Sequence, residues 1–157
     1  MSREILVVWA GRHRRDDWEK LCSGYRRRIG RWIPVRDLPV RARGRGEGKD
    51  RRRAEGRVLL AALPDSCWPV ALDRRGRMLS SAELSAWLAR RLGRGQPVAF
   101  LVGSDLGLGE EALAAARERI SFGPLTLPHE LARLLLYEQL YRALSIAAGM
   151  EYHRQPP

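Results

Sequence analysis

The sequence predicts an α/β domain, a mainly parallel sheet with helices on both faces. Two observations carry that expectation. The apolar runs Ile5-Leu6-Val7-Val8-Trp9 and Val98-Ala99-Phe100-Leu101-Val102 are continuous rather than alternating, so their strands must be covered on both sides. Strand-like runs are also separated by helix-period stretches, the spacing of crossover connections and not of hairpins. At 157 residues the chain reads as a single domain spanning 1–157. A domain of this size buries about 70% of the surface its unfolded chain exposes.

The first strand, over 5–9, ends at Gly11. A helix follows to about residue 31, started by Asp16 or Asp17, with Trp18, Leu21, Cys22, Tyr25 and Ile29 three or four positions apart. Residues 33–38 read as a second strand. The stretch 41–50 is Gly-rich and basic with almost nothing to bury, so it is expected to be a mobile loop. Residues 51–63 read as a helix, 69–73 as a third strand and 74–77 as a turn. Ser80 or Ser81 starts a helix to about residue 92, with Glu83 placed to complete a capping box. The fourth strand, 98–102, runs into Gly103-Ser104-Asp105-Leu106-Gly107-Leu108-Gly109. Residues 110–120 read as a helix, 124–127 as a short strand or extended loop, and 129–148 as the longest helix. On that helix Leu131, Leu134, Leu135, Leu136, Leu140, Leu144 and Ile146 cover a face wide enough for the core and for a dimer interface.

Charge is unevenly placed. The chain has 29 Lys and Arg against 18 Asp and Glu, a formal net charge of +11, and Lys20 and Lys49 are its only lysines. Residues 1–57 hold 18 basic and 8 acidic side chains, whereas 58–157 hold 11 and 10. Base composition accounts for choosing Arg over Lys, but not for confining the excess to the first third. A nucleic acid is the natural partner, because phosphate contacts release counterions and drive association. No apolar run approaches the ~20 residues needed to span a bilayer, and residues 1–9 lack the pattern of a signal peptide. The expectation is a cytoplasmic protein with no membrane association. Cys22 and Cys67 have no second Cys or His at ligand spacing, so both read as free thiols and no metal is expected.

In a parallel sheet, ligands gather beyond the carboxyl ends of the strands. Chemistry is therefore expected at 73–77, 103–109 and 127–129. The glycine segment reads Gly-x-x-x-Gly-x-Gly, which is neither a dinucleotide fingerprint nor a phosphate-binding P-loop. It offers backbone that a ligand can approach closely, or an ordinary strand-to-helix turn. Around residues 125–127, backbone donors and acceptors held between Pro124 and Pro128 suit an adenine edge, or simply start a helix cleanly. Glu138 and Arg142, four apart, can pair. The ending Tyr152-His153-Arg154 combines a hydroxyl, an imidazole and a guanidinium, a set suited to a base or a phosphate, or a solvated tail.

Together, residues 98–102 with their glycine loop, Leu125-Thr126-Leu127-Pro128-His129, Glu138-Gln139-Leu140-Tyr141-Arg142-Ala143 and the Tyr152-His153-Arg154 ending resemble the RlmH family over the whole chain. The resemblance implies a SPOUT-type α/β fold with a C-terminal trefoil knot, an exception to the rule that chains do not thread loops. It implies an S-adenosylmethionine-dependent methyltransferase acting on N3 of a pseudouridine in 23S ribosomal RNA, on the assembled ribosome. A basic RNA-facing part, about 1–57, then precedes a knotted cofactor-binding part, about 69–157. The family is a homodimer in which the partner finishes each site. Carried over by motif, the cofactor positions are Leu72, Gly103, Ser104 and Gly107, with Gly123, Pro124, Leu125, Thr126, Leu127 and Pro128 closing the pocket. The substrate-side candidates are His129, Arg142, Tyr152, His153 and Arg154, none of them singled out as a general base. One departure stands out. The family loop reads Gly-Gly-(Pro or Ala)-x-Gly, and here Ser104 replaces the second glycine while Asp105 adds a negative charge. That predicts retained but weakened cofactor binding. It also leaves open an RNA- or ribosome-binding factor with a degenerate cofactor loop, and a methyltransferase of the same fold acting on tRNA.

Overall fold

A computed structural model describes residues 3–11, 16–42 and 46–152. Strands and helices alternate as β1 (Ile5–Ala10), α1 (Asp17–Ile29), β2 (Val35–Val40), α2 (Gly48–Ala61), β3 (Trp68–Met78), α3 (Ser81–Gly93), β4 (Val98–Val102), α4 (Glu110–Ala115), β5 (Glu118–Ser121) and α5 (His129–Ala147). The described strands form an all-parallel sheet in the order β2-β1-β4-β3-β5. Steps toward the β2 edge are bridged by α1 and α3, which pack with α5. Steps toward the β5 edge are bridged by α2 and α4, which pack together. A single crossover hand requires this division of helices between the faces.

Alternate strand residues face opposite layers. Ile5, Val7, Trp9, Phe100 and Val102 join the cluster containing Cys22, Leu88 and Leu136. Leu6, Val8, Ala99 and Leu101 join Leu59 and its half-buried neighbours on the other side. Every residue of β1 and β4 is buried, as their continuous apolar runs require. The helix starts left open by sequence are settled by hydrogen bonds: Asp16 accepts from the Glu19 N–H, and Ser80 and Glu83 form a reciprocal capping box. No described helix is long and apolar enough to cross a membrane. Both cysteines are free, Cys22 buried and Cys67 half-buried.

Several boundaries differ from expectation. The second strand begins at Val35, and it accommodates Pro39 because β2 lies at the sheet edge. Helix α2 begins at Gly48 rather than 51, with Asp50 in its first turn complementing the helix dipole. Of the expected loop, Arg43, Gly44 and Arg45 lie outside the described residues. The expected turn at 74–77 belongs to β3, which leaves its pairing with β5 after Leu72 and rejoins it at Arg77. Gly76 makes that return possible, since a Cβ there would lie 2.7 Å from the Arg119 carbonyl carbon. The helix expected over 110–120 is two elements. Ala116 is extended, the Arg117 N–H donates to the Pro69 carbonyl, and β5 takes 118–121. Residues 124–127 form the loop alternative, not a strand, for prolines at 124 and 128 remove ladder donors.

A buried polar network fixes α5 to the sheet. Asp37 on β2 accepts from Trp9 Nε1 (2.9 Å), from Arg133 Nε (3.1 Å) and from the Tyr137 hydroxyl. Arg133 also donates to Glu19 on α1 at 2.7 Å and lies over the Trp9 ring, 4.2 Å from its centroid. The start of α5, and with it His129, is held about one turn away.

Candidate functional site

A cavity of about 470 Å³ opens at the carboxyl ends of β3, β4 and β5. Three distant segments build it. Leu72, Asp73, Arg74 and Arg75 come from the excursion in β3, residues 102–108 from the end of β4 and its loop, and Phe122, Gly123, Leu125, Thr126, Leu127 and His129 from the run into α5. Arg52 of α2 adds one side. The expected cofactor positions Leu72, Gly103, Ser104, Gly107, Gly123, Leu125, Thr126 and Leu127 are thus brought together. Pro124 and Pro128 flank the wall without lining it.

The glycine loop is close-packed against itself. A Cβ on Gly103 would fall 2.7 Å from the Gly107 carbonyl carbon, so no side chain fits there. Ser104 is a different case. Among the described residues no non-glycine has positive φ, so its backbone is ordinary for a side chain. Its hydroxyl donates to Glu55 Oε1 on α2 at 2.7 Å, and Glu55 is only 7% exposed. Asp105 is also partnered: His129 Nδ1 lies 2.8 Å from its Oδ1. A carboxylate only accepts, so Nδ1 carries the hydrogen and Nε2 of the neutral ring remains an acceptor. The His129 hydrogen bond holds the Asp105 carboxyl below its usual range. The two residues that depart from the family loop tie it to α2 on one side and α5 on the other.

Asp73 contributes the least satisfied group. Its Oδ2 is buried and has no hydrogen-bond partner, with Arg75 Nε 3.8 Å away. Sequence reasoning placed chemistry at this strand end but did not single out Asp73, Arg74 or Arg75. Arg52 and Glu55 left no signal there, since α2 reaches the loop only through the tertiary fold.

Arg142 and Tyr152 lie elsewhere. Glu138 accepts from Arg142 Nε (3.0 Å) and from the Tyr152 hydroxyl (3.3 Å), and the guanidinium sits 5.0 Å from the Tyr152 ring centroid. Tyr152 packs edge-on against Tyr141. Burial, joined by hydrogen bonding with Tyr25 and Glu138, pushes the Tyr152 hydroxyl well above its usual pKa. The hydrogen bond to Glu138 likewise raises that of Arg142. Along α5, Glu138 and Arg142 of this cluster stand about 14 and 20 Å from His129. His153 and Arg154 fall outside the described residues.

Comparison with known proteins agrees with this fold. A family model described as "Predicted SPOUT methyltransferase" matches residues 3–153. The chain is 46% identical over 133 residues to the ribosomal RNA large subunit methyltransferase H of Stenotrophomonas maltophilia, covering 83% of this chain and 85% of that one. For the protein of the same name from Xanthomonas axonopodis pv. citri, the identity is 45% with the same coverage. Among solved structures, a probable methyltransferase from Bordetella pertussis aligns with a TM-score of 0.53 at 18% identity, over 91% of this chain and 95% of that one. A probable methylase family protein from Haemophilus influenzae also gives 0.53, at 13% identity, over 99% and 72%. At such identities these structures share the fold alone. Matched from residue 3 to residue 153 and nearly half identical to its curated relatives, the chain belongs to the SPOUT methyltransferase family.

Proposed function

We propose that the protein transfers a methyl group from S-adenosylmethionine to N3 of a pseudouridine in 23S ribosomal RNA, on the assembled ribosome in the cytoplasm. One observation carries the reading. A single cavity gathers the β3 end, the glycine loop and the run into α5, in a chain whose relatives are named ribosomal RNA large subunit methyltransferase H.

The cavity suits the cofactor. Leu72, Phe122, Leu125 and Leu127 offer apolar surface for adenine, with backbone at 125–127 placed to read its edge. Asp73 Oδ2, which has no hydrogen-bond partner, can accept from a hydroxyl or an ammonium of the cofactor. When bound, S-adenosylmethionine supplies an electrophilic methyl on a sulfonium. Leu72, Gly103, Ser104, Gly107 and residues 123–128 hold it in that role. The N3 imino proton must leave as the N–C bond forms, and Nε2 of His129 is placed to take it while Asp105 stabilises the imidazolium. Orientation supplies most of the remaining rate. Arg142 and Tyr152, with His153 and Arg154, act from the partner of a homodimer, since within one chain Arg142 and the Glu138 that holds Tyr152 stand about 20 and 14 Å along α5 from His129. Leu131, exposed on α5, and the half-buried Leu134, Leu135, Leu144 and Ile146 supply apolar surface for that pairing. The residues 1–57 grip RNA, and the part about 69–157 binds cofactor. Both departures in the loop have gained hydrogen-bond partners, which favours a working enzyme over a degenerate binding factor.

Mass spectrometry of ribosomal RNA from a strain lacking the gene tests this reading. One methylpseudouridine should disappear from 23S RNA and return with the gene; an unchanged modification profile overturns it.

A further inference from the structure

A second cavity, of about 330 Å³, lies between α2 and α4. Lys49, Arg52 and Arg53 form one wall, and Arg75 closes an end. Their spacing explains the wall, since residues 49, 52, 53 and 56 fall on one face of a helix. Gly56 ends that face against Ala112 of α4. Gly109, just before α4, lets the helices close: a Cβ there would lie 3.2 Å from the Arg52 carbonyl oxygen. The trough is continuous with the cofactor cavity, since Arg52, Arg75 and Leu108 line both.

The charges in the trough are unequal. Its acids are Glu110 and Glu111, and Glu111 stands 3.9 Å from the Nε atoms of both Arg53 and Arg57. Loose exposed pairs of this kind are worth little and exchange readily for a better anion. Lys49 and Arg52 have no acidic partner among the described residues. A cationic trough leading out of the reaction cavity matches a chain of phosphates entering it, and guanidinium forks bind phosphate oxygens in pairs.

We propose that this trough holds the phosphates of the RNA strand next to the target nucleotide, so that the base is presented at the cofactor cavity while its neighbours lie along α2. The inference rests on the RNA-methylating reading and adds to it which cations touch the substrate.

Lys49 and Arg53 line the trough but not the cofactor cavity, which makes them the test. The double variant Lys49→Glu/Arg53→Glu is compared with Arg90→Glu/Arg94→Glu, an equal charge change at exposed positions near the end of α3. Binding of a labelled oligouridine is followed by fluorescence anisotropy between about 50 and 200 mM salt. The trough variant should lose about tenfold or more in affinity, and its salt slope should fall by roughly 0.7 for each cation removed. Its affinity for S-adenosylmethionine, measured by calorimetry, should match wild type, and the α3 variant should bind RNA as wild type does. Lys49→Gln/Arg53→Gln, which avoids new acids beside Glu110, should show the same direction if the reversal disturbs folding. Wild-type RNA affinity in the trough variants, or an equal loss in the α3 variant, overturns the proposal. If the wild-type chain transfers no methyl to unmethylated assembled ribosomes, the enzyme reading fails, and anisotropy alone still decides the trough.

Discussion

A serine hydroxyl and an exposed carboxylate set the behaviour of the glycine loop. Ser104 satisfies the buried Glu55, so Ser104→Ala leaves an acceptor without its donor, a change worth about 1–3 kcal/mol. Cofactor affinity should fall several-fold in calorimetry while the fold survives. Gly103→Ala is harsher: its methyl would meet backbone at 2.7 Å, which cannot swing aside as a side chain can. That variant should bind no measurable S-adenosylmethionine, and wild-type binding would show that the loop is not the cofactor's floor. Asp105 orients His129 from the surface, 76% exposed, so its replacement costs little stability. Asp105→Asn should instead lower kcat and leave RNA affinity unchanged. Because Asp105 is held below its ordinary 3.8, its carboxylate is charged above that pH, and what it contributes is lost only as the solution falls through the lowered value. The residue that receives the Ser104 hydroxyl lies 49 positions upstream, so the loop's own sequence carries no sign of it.

At the scale of elements, α5 is placed by charge as much as by its leucines. Arg133, only 3% exposed, answers Asp37 and Glu19 together. Arg133→Met would remove the buried cation that both carboxylates share, leaving Glu19 to Arg26 and Asp37 to Trp9 and Tyr137, and should cost about 3 kcal/mol in urea unfolding. Burial works to raise the Glu19 carboxyl, but hydrogen bonds from Arg26 and Arg133 outweigh it and bring it down to about 2. Its stabilisation is therefore fully present above pH 4.5, the ordinary value, and is lost as pH falls toward 2. Denaturant titrations at falling pH should show this loss, and Glu19→Gln should flatten it. Elements whose burial is written locally, β1, β4 and α3 with its capping box, were legible in sequence. Residues 110–120 misled because their Ala and Leu spacing suits a helix throughout. What ends α4 is non-local: Glu118 accepts from Trp68 Nε1 (2.8 Å) and Trp87 Nε1 (2.9 Å), side chains far upstream in the sequence. Those bonds claim the backbone for β5.

For the whole molecule, the separation of His129 from the Arg142–Tyr152 cluster makes a composite site testable. His129→Ala and Tyr152→Phe variants, each inactive alone, should regain part of the activity when mixed and re-dimerised, because one of the two sites is then intact. No recovery in mixed dimers would place both groups in one protomer's reaction. The sequence by itself determined the parallel α/β class, the loops that hold chemistry and the segregation of charge, since each depends on neighbours a few positions apart or on composition. Only the tertiary structure decided that Arg52 and Glu55 of the basic α2 stand beside the glycine loop, that Asp73 Oδ2 is buried without a hydrogen bond beside Arg75, and that Asp105 meets His129. These juxtapositions follow from strand order and crossover hand, which bring distant segments to the same end of the sheet and leave no local periodicity to read.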